Sequence, residues 1–136
     1  MTNKLNCILL VDDNDADNFI HQMTINKMGI AENIVVAENG LEALDFLKKA
    51  NGNHPEIIFL DINMPAMNGW EFLLKYKELD SSQKEKTSIF MLTTSINPKD
   101  EKVAMETTDV KGFINKPLTK QSLAEIVEKH FKDKVK

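Results

Sequence analysis

The chain has 136 residues, 42% hydrophobic and 28% charged, with a formal net charge of −4, which is the composition of an ordinary soluble globular domain and not of a disordered segment. It contains no apolar stretch of about 18 residues and no N-terminal signal pattern, because its first apolar run is only Cys7 to Val11, so no membrane span and a cytoplasmic location are expected. All 17 basic residues are lysines; the absence of arginine, the commonest bidentate reader of guanine, argues against direct nucleic-acid binding.

Five short runs rich in Ile, Val, Leu and Phe predict buried strands: CILLV (7–11), NIVVA (33–37), EIIFLD (56–61), SIFML (88–92) and GFIN (112–115). The first closes on Asp12 and Asp13, and Asp15 and Asp17 follow at once. Alternate acids suggest a calcium loop, but an EF-hand read from Asp13 needs Gly where Asn18 stands and a bidentate Glu where Thr24 stands. That excludes the calcium loop and leaves Asp15 and Asp17 for the first turn of a helix, where the dipole favours negative charge.

Between the runs lie helical segments. GLEALDFLKKA (40–50) places Leu41, Leu44 and Leu47 on one face, and GWEFLLKYKEL (69–79) offers Trp70, Leu73 and Leu74. Asn97 followed by Pro98 reads as an N-cap and first helical residue. The clearest helix is TKQSLAEIVEKHFKDK, with Leu123, Ile126, Val127 and Phe131 as its stripe and Thr119 or Ser122 as N-cap. Strands alternating with helices imply right-handed crossovers, a doubly wound parallel sheet with helices on both faces, and one domain with no linker. Cys7 reads as a buried structural thiol, Met64, Met67, Met91 and Met105 as packing residues, and His21, His54 and His130 as surface or half-buried side chains without metal-ligand spacing.

In such a sheet ligands bind beyond the carboxyl ends of the strands. The residues closing the runs are Asp12 and Asp13, then Asp61, then Thr93, then Lys116 before Pro117. Three carboxylates in one cleft repel one another unless a cation lies among them, and an all-oxygen set with few protein ligands suits hydrated magnesium, or manganese. Asp61 is then a nucleophile, with Lys116 and Thr93 placed to grip oxygens of an incoming phosphoryl group.

Asp12-Asp13, LDINMP around Asp61, MLT ending at Thr93 and GFINKP ending at Lys116-Pro117 together resemble the receiver domain of bacterial two-component response regulators, from about residue 5 to the end of the last helix. The resemblance implies a flavodoxin-like fold with five strands in the order 2-1-3-4-5 and five helices, as a single receiver domain over 1–136 (core about 5–133) with no output domain. It makes Asp61 the phosphoacceptor and magnesium ligand, Asp13 a direct ligand, Asp12 a ligand through water and Asn63 a ligand through its backbone carbonyl. Thr93 and Phe113 become switch residues, Gly69 lets the chain enter the third helix, and the bond before Pro117 is expected to be cis. The implied function is a stand-alone switch that takes phosphate from a histidine kinase or histidine phosphotransfer protein and signals to a partner protein or a relay, as a monomer or a phosphorylation-dependent dimer, without turning over a separate substrate. Thr94 is bulkier than the residue usual after the switch hydroxyl. The resemblance places Asn63 and Ser95 at positions whose identity in that family tunes attack by water.

Three competing readings are weaker. A haloacid-dehalogenase-like phosphatase would use Asp13 and Asp15, but Ala16 stands where Thr or Val is needed and LDINMP is left unexplained. A flavodoxin-like cofactor carrier needs a first loop that welcomes phosphate, and four acids repel one. A degenerate receiver that only binds partners would not carry the complete set of pocket residues.

Overall fold

A computed structural model of the chain describes residues 4–49, 54–62, 64, 67–79, 87–94, 98–106 and 110–131. Strands β1 (Leu5–Val11), β2 (Ala31–Ala37), β3 (Ile57–Asp61), β4 (Ser88–Thr93) and β5 (Val110–Asn115) form a parallel sheet in the order β2-β1-β3-β4-β5. They alternate with α1 (Asp15–Met28), α2 (Gly40–Lys48), α3 (Gly69–Tyr76), α4 (Pro98–Glu106) and α5 (Lys120–His130). Each apolar run of the sequence falls on one strand, and the strand order is the expected one. Among the described residues no helix is long and apolar enough to cross a membrane.

Successive side chains of a strand point to opposite faces, so a sheet covered on both sides needs apolar residues at every position. Leu9, Val11, Ile58, Leu60, Ile89 and Met91 enter one core, closed by Ala43, Leu44 and Leu47 of α2 and Phe72, Leu73 and Tyr76 of α3. Ile8, Leu10, Ile57, Phe59, Phe90 and Leu92 enter the other, closed by Ile25 of α1 and Leu123 and Ile126 of α5. Met64, Met67 and Met91 are core residues, as expected, and Cys7 is buried; the side chain of Met105 lies outside the described residues.

The helix starts are fixed by local chemistry. Asn14, Asn39 and Asn68 cap α1, α2 and α3 with their side chains, and Asn68 with Glu71 completes a capping box. At α5 the two sequence candidates share the work: Thr119 is the cap, and Ser122 returns a hydrogen bond to its backbone. Pro98 opens α4 as expected, whereas Asn97 lies outside the described residues. Gly29 ends α1 at φ +63°, a left-handed conformation that glycine adopts without strain.

Two apolar stripes differ from the sequence reading. Leu41 is 55% exposed while Leu44 is 7% exposed, because α2 begins at Gly40 and that residue takes the inward position; a Cβ there would lie 2.8 Å from the sulfur of Met67. Leu74 is likewise exposed, since Gly69, Phe72, Leu73 and Tyr76 form the inner face of α3. In α1 the inner face is Asn18, His21 and Ile25, and Phe19, Ile20 and Met23 face outward.

These positions separate in stability. Leu44→Ala is expected to cost about 2–5 kcal/mol in urea unfolding, against less than about 0.5 kcal/mol for Leu41→Ala.

Candidate functional site

Parallel register brings the carboxyl ends of four strands level. Val11 pairs with Leu60, Asp61 with Leu92 and Thr93 with Asn115, so the residues just beyond β1, β3, β4 and β5 share one rim. Carboxylate oxygens of Asp12, Asp13 and Asp61 lie within 4.8 Å of one another, with Asp12 and Asp61 buried and Asp13 exposed. Such a donor set fits a hard divalent cation, magnesium or manganese. Asp12 is otherwise committed: Oδ1 accepts the Asn14 N–H at 3.0 Å and Oδ2 accepts from Lys116. Asn63 and Ser95 lie outside the described residues.

Lys116 is the cation the structure places here. Its ammonium is 2.6 Å from Asp12 Oδ2, 3.0 Å from Asp17 Oδ2 and 3.4 Å from Asp61 Oδ1. Burial opposes its charge, but hydrogen bonds to Asp12 and Asp17 and the charges of Asp12 and Asp61 outweigh that and hold the ammonium above its ordinary range. Lys116 therefore stays charged throughout the physiological range. Its backbone N–H donates to the Thr93 carbonyl at 2.7 Å, joining the ends of β4 and β5, and the Lys116-Pro117 bond is cis, as expected.

Thr93 is buried and Thr94 exposed, so the inward position at the end of β4 belongs to Thr93. Gly69 sits where any side chain would collide: a Cβ would lie 2.9 Å from the Asp61 carbonyl, and its N–H donates to Ile62. Phe113 is half-buried and packs against the core under α2 and α3. Asp15 lies exposed in the first turn of α1, outside the acidic cluster.

Two features escaped the sequence reading. Asp17 does occupy the first turn of α1, yet its carboxylate is also a partner of Lys116. The chain separation of 99 residues hides this pair until the fold aligns β1 with β5. His21, expected to be surface or half-buried, is 1% exposed, and neither ring nitrogen has a hydrogen-bond partner among the described residues. His21 is buried because the caps at Asn14 and Gly29 set the rotation of α1, and Asn18 donates to the Asp12 carbonyl at 2.9 Å, which turns that helix face inward.

With this geometry in place, comparison with known proteins identifies the scaffold. Residues 8–128 match the model of the response regulator receiver domain. The chain belongs to that family. It is 34% identical over 121 residues to Two-component response regulator 24 of Arabidopsis thaliana, covering 89% of this chain and 81% of that one. It is 33% identical to a chemotaxis protein CheY homolog of Campylobacter jejuni, covering 89% and 88%. A crystal structure of a two-component response regulator from Cytophaga hutchinsonii superposes with a TM-score of 0.87 at 33% identity, covering 93% and 96%. Receiver domains act in two-component signalling with histidine kinases and output proteins, switching by phosphorylation, and magnesium and aspartyl phosphate are general features of the family.

Buried His21 is expected to make this receiver sensitive to acid. Burial, the largest influence, lowers its pKa from the ordinary 6.5; Asp17 raises it, Lys116 lowers it and Asp12 raises it by less. The unfolded chain thus binds the proton first, so the part of the stability linked to His21 is fully present above about pH 6.5 and is lost as pH falls through the folded-state pKa. Thermal unfolding between pH 7 and pH 5 is expected to show a decline that His21→Leu flattens.

Proposed function

We propose that this receiver accepts a phosphoryl group on Asp61 from a phosphohistidine donor, a sensor kinase or phosphotransfer protein, and signals through a separate partner protein. The observation that carries the reading is the Asp61 carboxylate, buried at the centre of the rim, with the Lys116 ammonium 3.4 Å away and Asp12 and Asp13 beside it. Phosphoryl transfer asks mainly for positioning and charge neutralisation, and this arrangement supplies both.

An oxygen of Asp61 attacks phosphorus in line with the donor nitrogen. The P–N bond breaks, its electron pair returns to the imidazole, and a mixed anhydride forms between the Asp61 carboxyl and the phosphoryl group. Lys116 donates to one phosphoryl oxygen and the Thr93 hydroxyl to another. Magnesium, held by Asp13 and Asp61, with Asp12 through water and the Asn63 carbonyl, would neutralise the crowded carboxylates. Thr93 then follows the phosphoryl group and Phe113 repacks with it, biasing the face built by α4, β5 and α5.

Intact mass after incubation with acetyl phosphate tests this directly. A single phosphoryl adduct is expected with magnesium; chelation or Asp61→Asn abolishes it, and Lys116→Ala slows it by about 10²-fold. An adduct that persists in Asp61→Asn, or one that forms equally without the metal, would remove the assignment.

A further inference from the structure

The two nearest partners of Lys116 are not the reacting carboxylate. Its hydrogen bonds go to Asp12 at 2.6 Å and Asp17 at 3.0 Å, and Asp61 is more distant at 3.4 Å. Asp12 belongs to the three-carboxylate cluster. Asp17 does not, and the chemistry above makes no use of it.

Local hydrogen bonds hold the backbone at Asp17. Its backbone N–H donates to the capping Asn14 Oδ1 at 2.9 Å, and the next residue, Asn18, donates to the Asp12 carbonyl at 2.9 Å. The carboxylate is therefore anchored at the head of α1 beside the ammonium, with its own side chain 32% exposed and that of Lys116 9% exposed. A lysine ammonium has three protons to give. Those given to Asp12 and Asp17 are not available to a phosphoryl oxygen on Asp61, and charge-assisted hydrogen bonds are the strong kind to break. Asp17 also adds a negative charge that opposes an approaching anionic donor.

Resting on the phosphoacceptor role of Asp61, we infer that Asp17 is a positioning residue that restrains Lys116 and so slows phosphoryl uptake. A third proton remains, but the ammonium is drawn to Asp12 and Asp17 and stands 3.4 Å from Asp61 Oδ1, so a close hydrogen bond to a phosphoryl oxygen on Asp61 pulls it away from Asp17. Removing the Asp17 carboxylate leaves Lys116 with Asp12 and Asp61 and lowers the barrier to that exchange. A glutamate reaches the same ammonium and preserves the restraint. Asp15 makes the control, because it carries the same charge in the same helical turn, stands exposed and has no ion pair with Lys116.

The test follows the second-order rate of phosphoryl incorporation from sub-saturating acetyl phosphate, by intact mass, on the full chain with excess magnesium. Asp17→Asn and Asp17→Ser, both compatible with the Asn14 cap, are expected to raise the rate by about three- to ten-fold, the scale of one partly exposed ion pair. Asp17→Glu and Asp15→Asn are expected to stay within about two-fold of the native chain. Native or slower rates in both Asp17→Asn and Asp17→Ser, an equal rise in Asp15→Asn, or the same rise in Asp17→Glu would overturn the restraint while leaving Asp61 as phosphoacceptor. An adduct retained in Asp61→Asn would overturn that role and the restraint with it.

Discussion

One ammonium holds together a rim that electrostatics would otherwise push apart. Asp12, Asp13, Asp17 and Asp61 bring four negative charges to the ends of β1 and β3 and the head of α1, and the Lys116 ammonium contacts three of them. Like charges at this spacing, partly withdrawn from water, repel strongly unless a cation is shared among them. Lys116 can serve because it arrives from β5, at the other end of the sheet order, on a backbone tied to Thr93. The doubly wound topology is thus a condition for the electrostatics, and the electrostatics in turn decide which chemistry the rim can perform.

The same rim explains an oddity of α1. A helix packed on a sheet ordinarily buries its apolar stripe, yet α1 turns Asn18 and His21 inward and leaves Phe19 and Ile20 in solvent. Polar links to the site hold it there: Asn18 to the Asp12 carbonyl and Asp17 to Lys116. An imidazole buried with no hydrogen-bond partner among the described residues is the cost of that rotation, offset by the Ile25 contact further along the helix.

Much of this was legible in the sequence because both cores demand apolar side chains at consecutive positions. Ile57, Ile58, Phe59 and Leu60 read as a strand buried on both faces because the run is short and rich in β-branched and aromatic residues, and the acids that interrupt such runs announce the rim. Thr119 and Ser122 were readable for a different reason, since capping is local. Leu41 and Leu74 misled because spacing fixes a helix period but not its phase; the phase of α2 is set by the close approach of Gly40 to Met67. Asp17 and His21 were hidden because a polar residue on a helix carries no sign of facing inward. Only the three-dimensional path of β5 discloses the partner of Asp17.

Open sheets carry a hazard that this one meets at both margins. Edge strands present unpaired backbone groups to which another chain can add a strand. At one margin β5 breaks register between Ile89 and Phe90 and sets the exposed Lys111 beside the irregularity; at the other, β2 carries Glu32 and Asn33 in solvent. A kinked, charged margin is a poor template for growth of the sheet from molecule to molecule. Addition of a strand from a second copy is therefore opposed at both margins.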